Sequence, residues 1–325
     1  MSESIRLQGL AGKIETTYMT DIVPTAADDA IQVEDTFWNS IEIGYLEQNL
    51  RENAAGYGMG RAGSAAMSGR YGHITTQVAL KGASGAFSAS GDLEADVPLR
   101  TSGLQATVDT TTASETVTYT PRSSSFESGS YYAWAAGSVF KLVGCFSYLT
   151  EITFTPNQLV LATFDIWGVL LTDPADEALP TFTYDEISLT PPHVVDAGLT
   201  LNSYDLEDFT NCRFEMRTTM VPKPRGNQAY GHAGYEITNW NPHLMVTMDP
   251  PARSSLNLED LMDAGTLFAW DLGIGSTQYN QIALSGSKGK AIGVTRSDQE
   301  SLALQEAEIM LQNDSGDDAF SLVFS

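Results

Sequence analysis

A glycine-rich segment is the first pattern in the sequence that could support chemistry. Gly58, Gly60 and Gly63 have the spacing G-x-G-x-x-G, which in dinucleotide-binding proteins lets backbone N–H groups approach a phosphate. That kind of site requires a buried strand before the glycines and a helix after them. Residues 50–53 (Leu-Arg-Glu-Asn) and 64–66 (Ser-Ala-Ala) provide neither. The glycines are therefore interpreted as part of a pliable surface loop.

The other reactive side chains form no recognisable catalytic or metal-binding set. Cys145 and Cys212 lack zinc or redox spacing and lie in apolar, strand-like contexts, so we expect buried thiols. No G-x-S-x-G elbow offers a serine nucleophile, and 41 acidic residues make any choice of a catalytic carboxylate pair arbitrary. We therefore predict no enzymatic activity, no cofactor and no metal. The histidines, which lack H-x-x-x-H spacing, are His73, His193, His232 and His243.

Two further clusters each allow a binding interpretation and a structural one. Tyr131, Tyr132 and Trp134 could hold a sugar or stacked bases, but their strand-like setting favours core and cross-strand packing. The acidic run at residues 313–318 could attract calcium, but it lacks EF-hand spacing and a terminal Glu, so a hairpin turn is favoured. The sugar interpretation gives the alternative function, a carbohydrate-binding or adhesion module of two β-sandwich domains.

The charge of the chain restricts its partners. There are 41 acidic and 17 basic residues, a formal net charge of −24. Binding to nucleic-acid phosphates or to an anionic membrane surface needs clustered Lys and Arg, so both functions are disfavoured. The acid excess suits either solubility or a surface that repels a passing polyanion. The sequence shows no signal peptide and no apolar membrane-spanning run, so we expect cytoplasmic folding and no membrane insertion.

The elements that must position these residues are mainly short strands. Residues 73–80 alternate, with Ile74, Thr76 and Val78 on one face, which is typical of a half-buried strand. Little chain remains between strands for parallel crossovers, so antiparallel sheets are expected. The predicted strands are residues 31–45 and 199–220 (each as a hairpin), 73–80, 116–120, 131–135, 139–148, 152–154, 159–171, 243–248, 297–312 and the C-terminal alternation of Phe320, Leu322 and Phe324.

The second half of the chain repeats the order of elements in the first half. The strand at 243–248 matches the strand at 73–80, and a helix predicted at 256–264 matches one predicted at 92–102. Because the order is constant and the offset similar, we interpret the chain as a duplication.

Two long irregular segments also occupy matching places in the two halves. They are residues 47–70 and 223–234, and both contain glycine and lack periodicity. The Tyr-Gly-His run at 230–232 is matched to the same run at 71–73. These segments are interpreted as loops that become ordered on contact with a partner.

The predicted domain boundaries follow from this repeat. Residues 1–171 form the first domain, residues 172–181 an acidic linker that contains two prolines, and residues 182–325 the second domain. Residues 1–171 have 18 acids and 9 bases, and residues 172–325 have 23 acids and 8 bases. The two halves therefore differ in charge.

Several phrases of the sequence resemble a known family. The N-terminal run at 11–21 and the run at 24–31 resemble the opening of the tail tube proteins of siphophages, the bacteriophages with long non-contractile tails; Met19 stands where that family often has Gly. Softer resemblances lie at 86–103, Val117-Thr118-Tyr119-Thr120-Pro121 and Lys141-Leu142-Val143-Gly144-Cys145. The C-terminal half resembles the second tube domain that some members have.

The resemblance implies a virion structural protein with a mainly β fold. Two tandem antiparallel β-sandwich or half-barrel domains, each with one short flanking α-helix, would form homotrimeric rings with pseudo-sixfold symmetry; single-domain members form hexamers. Stacked rings would make a tube through which DNA and the tape-measure protein pass without specific binding. Tail terminator and distal tail proteins would close its ends. The protein would reside in the virion tail after assembly in the host cytoplasm.

In this interpretation the irregular loops make the contacts between subunits or between rings. The residues expected to do so are Gly56, Tyr57, Gly58, Met59, Gly60, Arg61, Arg225, Gly226, Asn227 and Tyr230.

Overall fold

The computed structural model describes residues 8–34, 37, 40–45, 70–112, 114–184, 189–195, 197–206, 208–227, 232–299 and 301–325. The protein is mainly β, and its strand pairs are antiparallel, as the sequence predicts. The elements of the first half are β1 (Gln8–Ile14), β2 (Ala30–Ile31), β3 (Glu42–Tyr45), β4 (Arg70–Ala79), α1 (Asp96–Thr101), β5 (Leu104–Asp109), β6 (Thr116–Pro121), β7 (Gly129–Ala135), β8 (Ser138–Phe154), β9 (Leu161–Leu170) and β10 (Ala175–Asp176). Those of the second half are β11 (Gly198–Leu201), β12 (Tyr204–Leu206), β13 (Phe209–Glu215), β14 (Thr219–Pro224), β15 (His232–Asn239), β16 (His243–Met248), α2 (Leu258–Ala264), β17 (Phe268–Ile274), β18 (Ile282–Gln299), β19 (Leu302–Leu311) and β20 (Ser321–Phe324).

Local sequence explains the elements that were predicted best. In β4, the alternating residues Ile74, Thr76 and Val78 are buried, which confirms the predicted strand face. Helix α2 begins where the Asn257 side chain accepts a hydrogen bond from the backbone N–H of Asp260. It ends at Gly265, whose φ of 63° is the left-handed conformation common after a helix.

The two halves have the same order of strand pairing. In the first half, neighbouring strands run β2–β1–β7–β8–β9–β4–β3. In the second half they run β12–β11–β17–β18–β19–β16–β13. Strand for strand, the chain order also agrees, and one helix lies between the equivalent strands β4 and β7 and between β16 and β17. Within the described residues, the strands without a counterpart in the other half are β5, β6, β10, β14, β15 and β20.

A single sheet continues across the predicted domain boundary. Strand β8 pairs with β13 through Ile152 opposite Phe214 and Phe154 opposite Cys212. All four side chains are fully buried in one hydrophobic core that spans both halves. A second connection pairs β20 with β6. The predicted linker, residues 172–181, lies against the first half, where β10 pairs with the start of β8.

The sequence predictions differ from the structure at several elements. The strand predicted at 297–312 is the end of β18, a turn at Ser301 and β19. Of the hairpin predicted at 199–220, only β11 and β12 pair with each other, since β13 pairs with β8 and β16 and β14 pairs with β15. Residues 31–45 are not a hairpin, because Ile31 in β2 pairs with β1 whereas β3 pairs with β4. The strands predicted at 139–148 and 152–154 are one strand, β8. The helix predicted at 92–102 is shorter, since a 3-10 turn at Ser90–Asp92 precedes α1.

Candidate functional site

Eight neighbouring strands form a sheet with one buried face and one open face. Their order is β3–β4–β9–β8–β13–β16–β19–β18. On the buried face, Ile74, Phe164, Ile152, Phe214 and Ile309 have no solvent exposure. Because side chains alternate along a strand, their neighbours in sequence lie on the opposite side, which we call the open face.

Acidic side chains dominate the open face. Arg213 and Arg217 lie among them: Arg213 contacts Glu151 at 3.4 Å and Glu215 at 2.9 Å, and Arg217 contacts Glu308 at 2.9 Å. The carboxylates on this face are Glu42, Glu151, Asp165, Glu215, Glu306 and Glu308. The face therefore repels polyanions more than it attracts them.

A histidine–carboxylate pair occupies the same place in each half. His73 on β4 lies 3.4 Å from the Asp165 carboxylate on β9, and His243 on β16 lies 2.7 Å from Glu308 on β19. Burial alone would raise the pKa of Asp165, but hydrogen bonds from His73 and Thr75 lower it below its usual range. The hydrogen bond from His243 lowers the pKa of Glu308, against the opposing effect of burial.

This pair corrects the match made between the halves in the sequence. The counterpart of His73 is His243, since the two residues occupy equivalent positions in β4 and β16. His232 instead begins β15, which pairs with β14, so matching the run at 230–232 to the run at 71–73 was wrong. The match between the alternating strands at 73–80 and 243–248 already implied the correct correspondence of His73 with His243.

The eight-strand sheet ends at β3 on one side and at the last part of β18 on the other. Within the described residues, β3 pairs only with β4, and β18 beyond Gly289 pairs only with β19. The strands at these two edges, β3 and β18, correspond to β13 and β8, which pair with each other inside the chain. Strand β3 corresponds to β13, since Glu42 and Glu215 lie opposite the two equivalent histidines.

The strands β8 and β18 correspond in the same way. Glu151 lies opposite Thr163 in β9, and Thr295 lies opposite Glu306 in β19. Thr163 and Glu306 in turn lie opposite equivalent residues of β4 and β16. The free edges thus repeat the two sides of the β8–β13 junction.

The β14–β15 hairpin of the second half packs onto the first half. The Tyr18 hydroxyl accepts a hydrogen bond from the Tyr235 N–H and lies 3.0 Å from the carbonyl oxygens of Ala233 and Tyr235. The Tyr235 ring packs against Trp167, at 5.8 Å between ring centroids, and with Phe146. The hairpin therefore covers one end of the open face.

The predicted contact loops can be located only in part. Arg225, Gly226 and Asn227 are exposed after the end of β14, and their contact with another subunit stays a prediction. Tyr230 and residues 56–61 lie outside the described residues. The segments 46–69 and 216–242 join equivalent strands, β3 to β4 and β13 to β16, so they hold matching positions in the two halves.

The structural interpretation of the aromatic cluster is confirmed. Tyr131 is fully buried, Tyr132 is 4% exposed and Trp134 is 5% exposed. Leu179 of the linker and Phe182 just after it pack against Tyr132 and Trp134. The Trp134 indole N–H donates to Glu177 at 3.0 Å, and its ring packs edge-on against Phe182. These aromatics cannot receive a sugar, so the site proposed for a carbohydrate-binding module was wrong.

The acidic run and the cysteines are also as the structural interpretations predict. Residues 313–318 form the turn between β19 and β20, in which Asp318 accepts hydrogen bonds from the backbone N–H groups of Asp314 and Ser315. Cys145 and Cys212 are fully buried free thiols, and burial raises the pKa of each. Among the residues that the structure describes, no three His, Cys, Asp or Glu side chains are placed to hold a metal ion.

Comparisons with known proteins do not identify the chain. No protein-family model matches it, and no curated protein matches it with significant similarity. In the described part of the chain, no helix has the length and apolar character needed to cross a membrane.

Proposed function

We propose that this protein is a structural subunit of a siphophage tail tube, in which three copies close a ring and rings stack into a conduit for DNA. Its function is self-assembly, without turnover chemistry, in the tail of a virion. The open face would line the lumen, with DNA and the tape-measure protein passing along it. The family is proposed from the sequence resemblance, and the ring assembly is argued from the edges of the eight-strand sheet.

The junction between β8 and β13 carries this proposal. It joins the halves of one chain, whereas among the described residues the equivalent edges, β3 and β18, have no second partner strand. Unpaired edges in a stable protein are usually protected or used for pairing. The β18 strand of a second copy can pair with β3 in the same geometry in which β8 pairs with β13 inside the chain. Such a contact is head-to-tail, and it makes a closed ring if its rotation divides a full turn.

The number of strands is compatible with a wide lumen. Three copies of the eight-strand sheet contain 24 strands. At about 4.8 Å between strands and a tilt of about 40°, they enclose a barrel roughly 48 Å across between opposite backbones. Barrels of about 16 to 18 strands already hold an aqueous channel. The acidic open face would then keep DNA in transit from adhering.

The most direct experiment joins the free edges of neighbouring copies covalently. Inside the chain, Phe214 pairs with Ile152, so one residue further along Glu215 faces Glu151. The equivalent positions between copies are Glu42 and Thr295. In the double variant Glu42→Cys/Thr295→Cys, mild oxidation should produce a covalent trimer, because directly opposed strand residues have the separation that a disulfide needs.

Two controls separate this contact from chance cross-linking. Each single variant should give no trimer. The pair Glu42→Cys/Thr247→Cys places its second cysteine on β16, inside the sheet, and should also give none. Electron microscopy of the oxidised double variant should show rings or tubes. If neither purified chains nor chains mixed with their assembly partners ever form rings, and the double variant stays monomeric on oxidation, the proposal is wrong.

A further inference from the structure

A half-open surface cleft lies beside the β14–β15 hairpin. It measures about 350 Å³, at the lower end of the range for ligand pockets. Three separate parts of the chain form it: the segment between β6 and β7, the end of β15, and the start of the turn before β20. The residues that line it are Ser123, Phe126, Ile237, Thr238, Asn239, Trp240 and Asn313.

The lining of the cleft is uncharged. Phe126 and Trp240 provide apolar ring surface on opposite segments. The amide side chains of Asn239 and Asn313 each offer donors and an acceptor. Among the described residues neither amide has a hydrogen-bonding partner, so both are available to a ligand.

The walls of the cleft are held in place by contacts behind them. Ser123 donates hydrogen bonds from its backbone N–H and its hydroxyl to the carboxylate of Asp317, in the turn before β20. Phe126 packs with Ile237 and Tyr235 in the cluster that fixes the β14–β15 hairpin. The nearby carboxylate is therefore occupied, and the Phe126 ring is packed from behind.

We infer that this cleft binds a neutral saccharide unit. A sugar ring presents C–H groups that suit an aromatic face, and neighbouring hydroxyl groups that suit the two-sided hydrogen bonding of an amide. The absence of a lining charge gives no advantage to an anionic or cationic ligand. This inference goes beyond the proposed tube function, and it can be tested on the unassembled chain.

The test is saturation-transfer NMR and calorimetry with glucose, galactose and N-acetylglucosamine as probes. We expect at least one of them to bind, and we expect Asn239→Ala and Asn313→Ala each to weaken binding at least tenfold. The matched control is Asn241→Ala, an exposed asparagine beside Trp240 that does not line the cleft. It should keep the affinity of the natural sequence.

The possible outcomes decide whether the cleft binds a sugar. Loss of binding in both lining variants, with unchanged thermal unfolding and a normal control, supports the inference. No binding by any of the three sugars overturns it, and so does binding that both lining variants retain. Trp240→Phe provides a second check, since a smaller ring should weaken the same ligand without removing the wall.

Discussion

The junction between β8 and β13 and the free edges of β3 and β18 use equivalent strands with different side chains. At the internal junction, the core-side residues of β8 are Ile152 and Phe154, both fully buried. The equivalent residues of β18 are Arg296 and Asp298, which are exposed. Equivalent strands thus carry apolar side chains at the internal junction, which forms when the chain folds, and polar side chains at the free edge. Charges on a free edge are a known protection against uncontrolled strand pairing.

The largest effect should follow from giving the internal junction the chemistry of the free edge. Phe154→Asp buries an unpaired carboxylate in the core and removes a fully buried ring, which should cost at least about 3–5 kcal/mol of unfolding free energy. Urea denaturation measures this loss. The control Thr153→Asp places the same charge one residue earlier, on the open face, and should change stability little. Equal stability of both variants would show that the junction is not part of the core.

Deleting residues 56–68 tests the matching segments of the two halves. The β14–β15 hairpin is anchored within its own chain by Tyr18, whereas the equivalent segment of the first half is predicted to contact another subunit or ring. The deletion should leave circular dichroism and thermal unfolding unchanged but stop the stacking of rings in electron micrographs. Tubes of normal length would exclude this segment as the stacking element.

The reverse exchange at the free edge should strengthen assembly. Asp298→Phe gives β18 the residue that β8 has at the internal junction. Partial burial of this ring between copies should lower the protein concentration at half-assembly by about tenfold, which corresponds to about 1.4 kcal/mol. Analytical ultracentrifugation measures the shift. Asp249→Phe, at another exposed position, controls for non-specific hydrophobic association. An equal shift in that variant would show that the effect is not specific to the edge of β18.

The smallest effect concerns the equivalent histidine–carboxylate pairs. The folded-state pKa values of Asp165 and Glu308 are lowered, so each group stabilises the fold above the usual carboxylate range and loses that contribution as pH falls below about 4.5. Each contribution should be no more than about 1 kcal/mol, because both groups are partly exposed. Thermal unfolding at pH 6 and at pH 3.5 should change less in Asp165→Asn and in Glu308→Gln than in the natural sequence. Identical pH dependence in all three proteins would contradict this.

Strands with strict alternation could be read from the sequence, and strands that depend on their neighbours could not. The strands at 73–80 and 243–248 and the C-terminal strand alternate, and the structure confirms them. Strand β18 contains Ser285-Gly-Ser-Lys-Gly-Lys290, which has low strand propensity. It is extended because β17, β19 and β20 pair along it.

The candidate assembly surface was only partly predictable for a similar reason. The repeat and the acid excess were visible in the sequence, but the acidic residues of the open face are scattered from Glu42 to Glu308 and are brought together only by pairing. The junction of the two halves was not predicted, because β8 and β13 carry no signal that they meet. The structure located it, and the equivalent free edges followed from it.

The internal junction also affects the entropy of assembly. In the proposed trimer, six seams close the ring, and three of them lie within chains as β8–β13 contacts. These three form during folding and do not depend on protein concentration. Only three bodies, rather than six, lose translational and rotational freedom when the ring closes. Fusing two equivalent units into one chain thus lets the remaining seams stay polar and individually weak while the closed ring still forms.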